Sequence, residues 1–401
     1  MLVYLLNIAL IIVWAMVFLT GKRTRLKKVI FVAVCFLQLY LISAFRYGIG
    51  ADFRMYYDGF FRMAVDVSHN GFNLGGYEDW EIGYIFLNKF IGLFTAKPAD
   101  FFMISSLLPL IGPAYLVVRY SNNPFMSVFL YVNLYLFYLD INFIRQGIAM
   151  SILCFAYGFL KDKKFWRFLL IVATAALFHL TVIYMIPVFL VCLLKVNTRT
   201  LLLYLFGLLF YYILSDGVLN IILANFHSEY SGSVFIENGV FVHYAVYPLL
   251  ICAGMVFISY YVKELTPTMH TLIQLTMLMG FWQIVMTKHA LFERFSYYTM
   301  LFVILAVPEA IKAFALQLRG NLIRKYTESS DGGDTRVITA KATAVASRIV
   351  MIVTILVLLL AFAYNMMGLI VPAYGVHGVL PYQTRLDFEI PSIDGFFKFW
   401  Q

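Results

Sequence analysis

Three titratable side chains stand at places in the sequence where they could transfer protons. Asp52 follows a glycine-containing turn, Glu81 follows the polar stretch 77–80, and His179 lies in the middle of a long apolar run. Burial raises the pKa of a carboxylate and histidine titrates near neutral pH, so each is a candidate catalytic base. The structural alternatives are helix caps for Asp52 and Glu81 and a buried core histidine for His179. The sequence ranks Asp52 and His179 level, with Glu81 next.

Three arginines, Arg46, Arg145 and Arg294, stand at the ends of separate apolar stretches. A guanidinium at a membrane boundary is costly unless it has a partner or faces a polar cavity. It also binds phosphate through two parallel hydrogen bonds and keeps its charge. We therefore expect the three arginines to converge in one cavity as ligands of an anion. The alternatives are an Arg46 that reaches to the interface, a local Asp140–Arg145 pair and a solvated turn around Arg294.

The composition identifies the environment in which these residues work. Of the 401 residues, 62% are hydrophobic and 13% are charged, and the mean hydropathy is +0.84. Soluble domains are about half apolar and about a quarter charged, so a soluble enzyme, a secreted disulfide scaffold and a disordered chain are excluded. The net charge of +9 comes largely from short basic runs between apolar stretches, which indicates membrane orientation and no nucleic-acid partner.

The apolar stretches predict an all-α polytopic membrane protein with about twelve transmembrane helices. The stretch 165–194 is too long for one span, so we predict a hairpin of two short helices with His179 at its tip. Segment 81–95 is short and carries Lys89, which predicts an interfacial or re-entrant helix. The other predicted spans are 2–20, 29–45, 100–118, 124–139, 143–160, 200–214, 243–261, 269–287, 296–317 and 349–371.

The basic runs 22–28 and 161–164 are expected on the cytoplasmic side, which places both termini outside. Residues 1–401 then form a single integral domain, and the candidate arginines lie at its outer face. The predicted excursions from the membrane are two outer loops, 46–80 and 215–242, and one cytoplasmic loop, 319–348, with a linker at 328–334.

The sequence contains no phosphate-binding glycine loop, no dinucleotide fingerprint and no zinc-hydrolase motif. Nucleotide-driven and zinc-hydrolase chemistry therefore have no support. Arginines and carboxylates from separate spans recur at one membrane level, which is where the pyrophosphate of a lipid carrier would lie. Tyr56 and His289 stand beside these arginines and complete the candidate substrate-binding set.

Several motifs in the chain share one order with a known family. They are Arg46-x-x-x-Gly50-x-Asp52-x-x-x-Tyr56, Glu81-x-Gly83-Tyr84, Arg145-Gln146-x-Ile148-Ala149, Phe178-His179, Arg294-x-x-x-Tyr298 and Leu380-Pro381-Tyr382. In this order the sequence resembles the EpsG family of polysaccharide polymerases, over most of its length.

The resemblance implies a Wzy-type O-antigen or exopolysaccharide polymerase, a glycosyltransferase of GT-C-like architecture in the bacterial cytoplasmic (inner) membrane. Such an enzyme transfers the growing glycan from undecaprenyl pyrophosphate to a lipid-linked acceptor repeat unit at the periplasmic face. It implies neither a metal ion nor a cofactor. The implied partners are the two lipid-linked glycans, membrane lipid and a chain-length regulator protein.

Two other functions stay open from the residues alone. A flippase for the same lipid-linked oligosaccharide should carry charges at mid-bilayer and often has repeated halves. Here the polar residues gather at one face and no repeat is visible, which favours the enzyme. An O-antigen ligase would need the same arginines and histidine at the outer face.

Overall fold

The computed structural model describes residues 1–22, 24–226, 239–329, 334–372 and 375–384, with the side chains of 216–226 left aside. Residues 227–238 of the predicted outer loop 215–242 therefore lie outside the described residues. Within them the chain is all-α, and an isolated bridge between Arg46 and Thr384 is its only extended pairing.

Eighteen α-helices are present in the described part of the chain. In chain order they are α1 (Leu2–Phe18), α2 (Arg25–Ala44), α3 (Phe53–Asn70), α4 (Ile82–Gly92), α5 (Pro98–Ser105), α6 (Leu108–Tyr120), α7 (Pro124–Asn133), α8 (Leu136–Asn142), α9 (Ile144–Cys154), α10 (Tyr157–Lys161), α11 (Phe165–Ala176), α12 (Met185–Val191), α13 (Thr198–Phe226), α14 (His243–Tyr261), α15 (Pro267–Val285), α16 (Glu293–Met300), α17 (Val303–Glu328) and α18 (Thr335–Ile370). Short 3-10 turns precede α12 and α16 and follow α18, at Leu180–Tyr184, Ala290–Phe292 and Val376–Gly378.

Five of these segments are long and apolar enough to cross a membrane, or seven if each of two bent helix pairs counts as one span. The sequence predicts about twelve spans. The count is lower because several apolar stretches fold as helices of 10–17 residues, among them α1, α9 and α11. A helix rises about 1.5 Å per residue, so such helices are shorter than a bilayer core of about 30 Å. The long apolar helices nevertheless identify an integral membrane protein.

All three predicted loops contain helix in the described part of the chain. Residues 215–226 of the predicted outer loop 215–242 belong to α13. The outer loop 46–80 holds the amphipathic helix α3, whose apolar side is buried while its polar side faces out. In the predicted cytoplasmic loop 319–348, the described residues are largely a continuation of α17 and α18, and residues 330–333 of the predicted linker 328–334 lie outside the described residues. Turn-forming residues in 46–80 and 319–348 predict loops. The residues around them nevertheless have the periodicity of a helix, and they fold as helix.

A separate aromatic cluster fixes α3 against α4 and α5. Phe53 stacks on Phe102 with ring centroids 4.5 Å apart, and Phe60 stacks on Phe101 at 4.9 Å. Tyr84 of α4 is fully buried in the same cluster. Burial of each aromatic side chain is worth about 2–3 kcal/mol, so this cluster holds the beginning of α4, and with it Glu81, in a defined position.

Candidate functional site

The first turn of α4 rests against the break before His179. The backbone N–H of Gly83 donates to the carbonyl oxygen of Leu177 at 2.8 Å. A Cβ atom on residue 83 would lie 2.7 Å from the same oxygen, which requires glycine there. Residues 165–194 form α11, a turn at His179 and the 3-10 turn that leads into α12, which agrees with the predicted break at this histidine.

Glu81 joins three elements through its two carboxylate oxygens. Its Oε1 lies 2.9 Å from Nδ1 of His179 and accepts the backbone N–H of Leu180 at 3.2 Å. Its Oε2 accepts a hydrogen bond from Nη1 of Arg145 at 2.6 Å. The Glu81 and Arg145 side chains keep less than a fifth of their surface exposed. Glu81, the lowest-ranked base candidate, is therefore the centre of the cluster.

The electrostatics of this cluster favour an ionised Glu81 and a neutral His179. Burial raises the pKa of Glu81, but the hydrogen bond with His179 and the charge of Arg145 outweigh it and lower that pKa to about 2. Burial lowers the pKa of His179 below its ordinary value, and the charges of Arg145 and Arg294 act in the same direction. A neutral ring whose Nδ1–H donates to Glu81 has its lone pair on Nε2.

The Nε2 atom of His179 is buried and has no hydrogen-bond partner among the described residues. An acceptor nitrogen in this state is poised to take a proton from a bound group, because its tautomer is fixed by the carboxylate on the other side of the ring. This arrangement is a carboxylate–imidazole dyad. It gives His179 the geometry of a general base and Glu81 the role of its positioning residue.

Arg145 is fixed by contacts on both sides. Its guanidinium lies 4.9 Å from the ring centre of Trp80, and the Tyr56 hydroxyl lies beside it. The local Asp140–Arg145 pair, one alternative from the sequence, is absent from the described residues: Asp140 is buried and accepts a hydrogen bond from Tyr131 instead. Arg145 instead forms an ion pair with Glu81, which lies 64 residues earlier in the chain. The spacing of residues in the sequence does not reveal this pair.

Asp52 and Arg294 face the same cluster without forming direct contacts there. The Asp52 backbone N–H donates to Oδ1 of Asn142 at 2.9 Å, but its carboxylate has no hydrogen bond or ion pair within the described residues. Burial raises the pKa of Asp52, while the charges of Arg294 and then Arg145 lower it. The Arg294 guanidinium lies 5.5 Å from the Phe143 ring centre and likewise has no ion pair in the described part of the chain.

Arg46 is buried just after the carboxyl end of α2, and protein oxygens accept hydrogen bonds from its guanidinium. Only 1% of its surface is exposed, and its guanidinium donates to Oγ of Ser43 and Oγ of Ser106, each at 2.8 Å, and to the Ile141 carbonyl at 3.1 Å. These bonds join α2, α5 and α8. Arg46 is therefore a structural cross-link, and the convergence of all three arginines on one anion stays a prediction.

A second polar group lines a cavity of about 240 Å³ next to Arg294. The Tyr297 hydroxyl contacts the Glu293 carboxylate and lies 3.2 Å from Nε2 of His377. Burial lowers the pKa of His377 to about 4, so this ring is neutral. The His377 ring packs against Phe143, with ring centroids 5.2 Å apart, and Arg294 contacts the same phenylalanine.

His289 is buried beside Tyr211 and Phe292, shortly after the end of α15. In the described residues, no group of three histidine, cysteine, aspartate or glutamate side chains is close enough to hold a metal ion.

A family model for the EpsG family matches residues 29–323 of the chain. The chain belongs to the EpsG family. It is the family of Wzy-type polymerases and EpsG glycosyltransferases. Comparison with curated proteins and with solved structures gave no match. The matched range contains Asp52, Glu81, Arg145, His179 and Arg294, so the whole cluster lies in the part of the chain that the family shares.

Sequence reasoning missed several residues of this EpsG site. Trp80 supports Arg145, and the Tyr298 hydroxyl lies 2.9 Å from Oγ1 of Thr181, two residues after His179. The Gln146 side-chain amide donates to the Arg294 carbonyl at 2.8 Å and so ties α9 to the turn that carries Arg294. Gln146 and Tyr298 stand in the motifs that carry the family resemblance, whereas for Trp80 the signal is its position next to Glu81.

Proposed function

We propose that this EpsG-family chain polymerises lipid-linked oligosaccharide repeat units. In the reaction, an acceptor sugar hydroxyl attacks the anomeric carbon of the growing glycan, and the bond from that carbon to undecaprenyl pyrophosphate breaks. The pyrophosphate leaves with the bonding electrons, and the hydroxyl proton passes to a base. Attack opposite to the leaving group inverts the anomeric centre. The family membership supports the overall activity, and the His179–Glu81 dyad is the single observation that supports this chemistry.

His179 is the base that we propose. Its Nε2 is an unpartnered acceptor, and Glu81 fixes the tautomer through Nδ1 at 2.9 Å. The imidazolium formed after proton transfer is stabilised by the same carboxylate, as in other carboxylate–histidine dyads. Asp52 is the rival base, because its carboxylate has no direct partner in the described residues and burial raises its pKa above the ordinary value. Glu81 already accepts hydrogen bonds from His179, Leu180 and Arg145, which makes it the weakest base of the three.

Arg294 is the pyrophosphate ligand that we propose. Arg145 forms an ion pair with Glu81 at 2.6 Å, whereas Arg294 forms no ion pair among the described residues. The positive charge of Arg294 is therefore available to a ligand. A cation placed where negative charge develops on the leaving group lowers the barrier to its departure. The neighbouring cavity of about 240 Å³ is smaller than a drug-sized site of about 300–1,000 Å³. It would take one sugar of a repeat unit, held by the Glu293 carboxylate and tyrosine rings.

The proposed polymerase activity requires the candidate site to lie on a particular side of the membrane. Arg46 follows the carboxyl end of α2, whereas the basic run that begins at Lys22 precedes its amino end. With the basic run in the cytoplasm, the candidate site faces the periplasm, where lipid-linked donor and acceptor meet. A GT-C-like arrangement with twelve crossings, the undecaprenyl carrier and a chain-length regulator as partner remain part of this proposal. Clustering of the polar residues at one end of α2 supports an enzyme over a flippase.

A deletion strain complemented with variants tests the proposal. We expect His179→Gln to leave lipid-linked single repeat units and to reduce long glycan chains about 10²–10⁴-fold at equal membrane abundance. Asp52→Asn is the comparison for the rival base, and Asp58→Asn is the matched control, because Asp58 only pairs with Arg54 on an exposed face. Repeat units trapped inside the cell would instead indicate a flippase, and long chains that fail to reach lipid A would indicate a ligase.

A further inference from the structure

A cavity of about 760 Å³ lies at the amino end of α2, the end opposite to Arg46. The end of α1, the start of α2, the end of α6 and the start of α7 enclose it. Helix α2 has 20 residues, so about 30 Å of helix separates this cavity from Arg46, and none of its described lining residues belongs to the candidate catalytic cluster. Its occupant is therefore independent of the glycan chemistry proposed above.

The polar wall of the cavity is strongly basic. Arg25, Lys27, Lys28 and Arg119 line it, and the described lining residues include no carboxylate. Nζ of Lys27 donates to the Thr20 carbonyl at 3.0 Å, and Nζ of Lys28 donates to the Ser121 carbonyl. Both lysine ammonium groups are therefore partly satisfied by backbone oxygens. A cavity with four cations and no acidic lining attracts an anion.

The two arginines of the cavity are the cations that can bind an added anion. Within the described residues neither Arg25 nor Arg119 forms an ion pair, and the Arg119 guanidinium only approaches the Tyr120 ring, at 5.9 Å. A carboxylate near the cavity, that of Glu309, is held at 2.5 Å by the side chain of Asn122 and also pairs with Lys312. It therefore does not neutralise the arginines.

The other wall of the same cavity is apolar. Ile12, Met16 and Leu19 of the α1 segment line it, and Met16 keeps 57% of its surface exposed. A free phosphate ion would satisfy the arginines but would leave this apolar wall uncovered. A phospholipid covers both walls, because its phosphate meets cations while its acyl chains lie along apolar helix surface.

We infer that this cavity binds an anionic phospholipid, with the phosphate between Arg25 and Arg119 and the acyl chains against α1. The basic run at 22–28 would place this lipid in the cytoplasmic leaflet, where anionic head groups meet juxtamembrane cations. The bound lipid would then fix the α1–α2 connection.

Native mass spectrometry of the full-length protein in detergent tests the inference, with dioleoylphosphatidylglycerol and dioleoylphosphatidylcholine as probes. We expect wild-type protein to retain the anionic lipid at least tenfold better than the zwitterionic one. The double variant Arg25→Gln/Arg119→Gln should bind the anionic lipid about 30-fold more weakly, because each cation near the surface contributes about fivefold. Lys161→Gln/Lys164→Gln, which removes two cations from a turn outside the cavity, is the matched control and should bind as wild type does.

Three outcomes would overturn the inference. Equal retention of the two lipids by wild-type protein excludes a charge-selective site, and this result does not depend on any variant folding. An unchanged affinity of the arginine double variant, or an equal loss in the lysine control, places the lipid elsewhere. Displacement of the lipid by soluble glycerol phosphate at equal concentration identifies an anion site with no contribution from the apolar wall.

Discussion

The Nδ1 atom of His179 lies 2.9 Å from Oε1 of Glu81, although 98 residues separate the two in sequence. This contact assigns different tasks to two residues that the sequence presents as alternative bases. The carboxylate, with a pKa near 2, holds the proton on Nδ1, and the imidazole presents a free Nε2. The first three predictions concern this dyad and the arginines around it.

Glu81→Gln removes the charge of the dyad while it keeps the size of the side chain. We expect polymer formation to fall about 10²–10⁴-fold, because the amide neither enforces the Nδ1–H tautomer nor stabilises the imidazolium. Quantification of lipid-linked glycan length against membrane abundance measures the effect. Asp58→Asn serves as control, since it neutralises a partly exposed carboxylate of the neighbouring helix α3. Normal chain lengths in Glu81→Gln would remove Glu81 from the mechanism.

The pH dependence of turnover should show one acid limb due to His179. A base must be neutral to act, and the pKa of His179 lies below its ordinary value of about 6.5. Activity should therefore be constant above about pH 6.5 and fall only as the pH drops through the lowered pKa. Glu81 raises the pKa of His179, so Glu81→Gln should move the limb to lower pH as well as reduce the maximum.

Steady-state turnover of purified protein on isolated lipid-linked repeat units, measured between pH 4 and 8, checks this limb. His179→Gln should retain its residual activity without the limb. A limb that persists in His179→Gln and disappears in Asp52→Asn would transfer the role of base to Asp52.

Arg145 and Arg294 should respond differently to the same substitution. Arg294→Lys keeps the charge but loses the planar fork, so we expect activity to fall about 10–100-fold at unchanged melting temperature. Arg145→Lys should also lower the melting temperature, because Glu81 loses a hydrogen bond worth about 1–3 kcal/mol. Scanning fluorimetry in detergent, combined with the glycan assay, separates the two effects. Equal loss of stability in both variants would contradict an unpaired Arg294.

The membrane class, the helical fold and the break at His179 follow from the sequence, because each depends on local hydropathy and on charge runs. The number of long spans does not follow. Apolar stretches such as 143–160 fold as two short helices, α9 and α10, with a kink at residues 155–156. Hydropathy measures how apolar a segment is, and it contains no information on where the backbone bends.

The sequence predicts which residues belong to the candidate site, but it does not predict which of them contact each other. Glu81, Arg145 and His179 all stand out in the sequence as polar residues at apolar boundaries. Their contacts span 64 and 98 residues, and no local rule decides between Asp140 and Glu81 as the partner of Arg145. Arg46 has the same sequence signature as Arg294, yet it is buried and its guanidinium is bonded to Ser43, Ser106 and the Ile141 carbonyl. Tertiary contacts alone separate these two arginines.

The contact between Gly83 and Leu177 carries the last prediction. A Cβ at position 83 would approach the Leu177 carbonyl oxygen to 2.7 Å and the Leu177 Cβ to 2.9 Å. Gly83→Ala must therefore separate α4 from the turn that precedes His179, at a cost of about 1–3 kcal/mol in the free energy of unfolding. The same movement would lengthen the Glu81–His179 hydrogen bond, so glycan chains should shorten as well.

Gly320→Ala is the matched control, because an added Cβ there meets no atom within 4 Å and alanine is favoured over glycine inside a helix. It should unfold at the wild-type temperature or slightly above it and should polymerise normally. The decisive comparison is therefore between two identical chemical changes that differ only in their surroundings. If Gly83→Ala melts and polymerises like Gly320→Ala, the close approach of α4 to Leu177 is not what aligns Glu81 with His179, and the dyad must be held by the Arg145 contact alone.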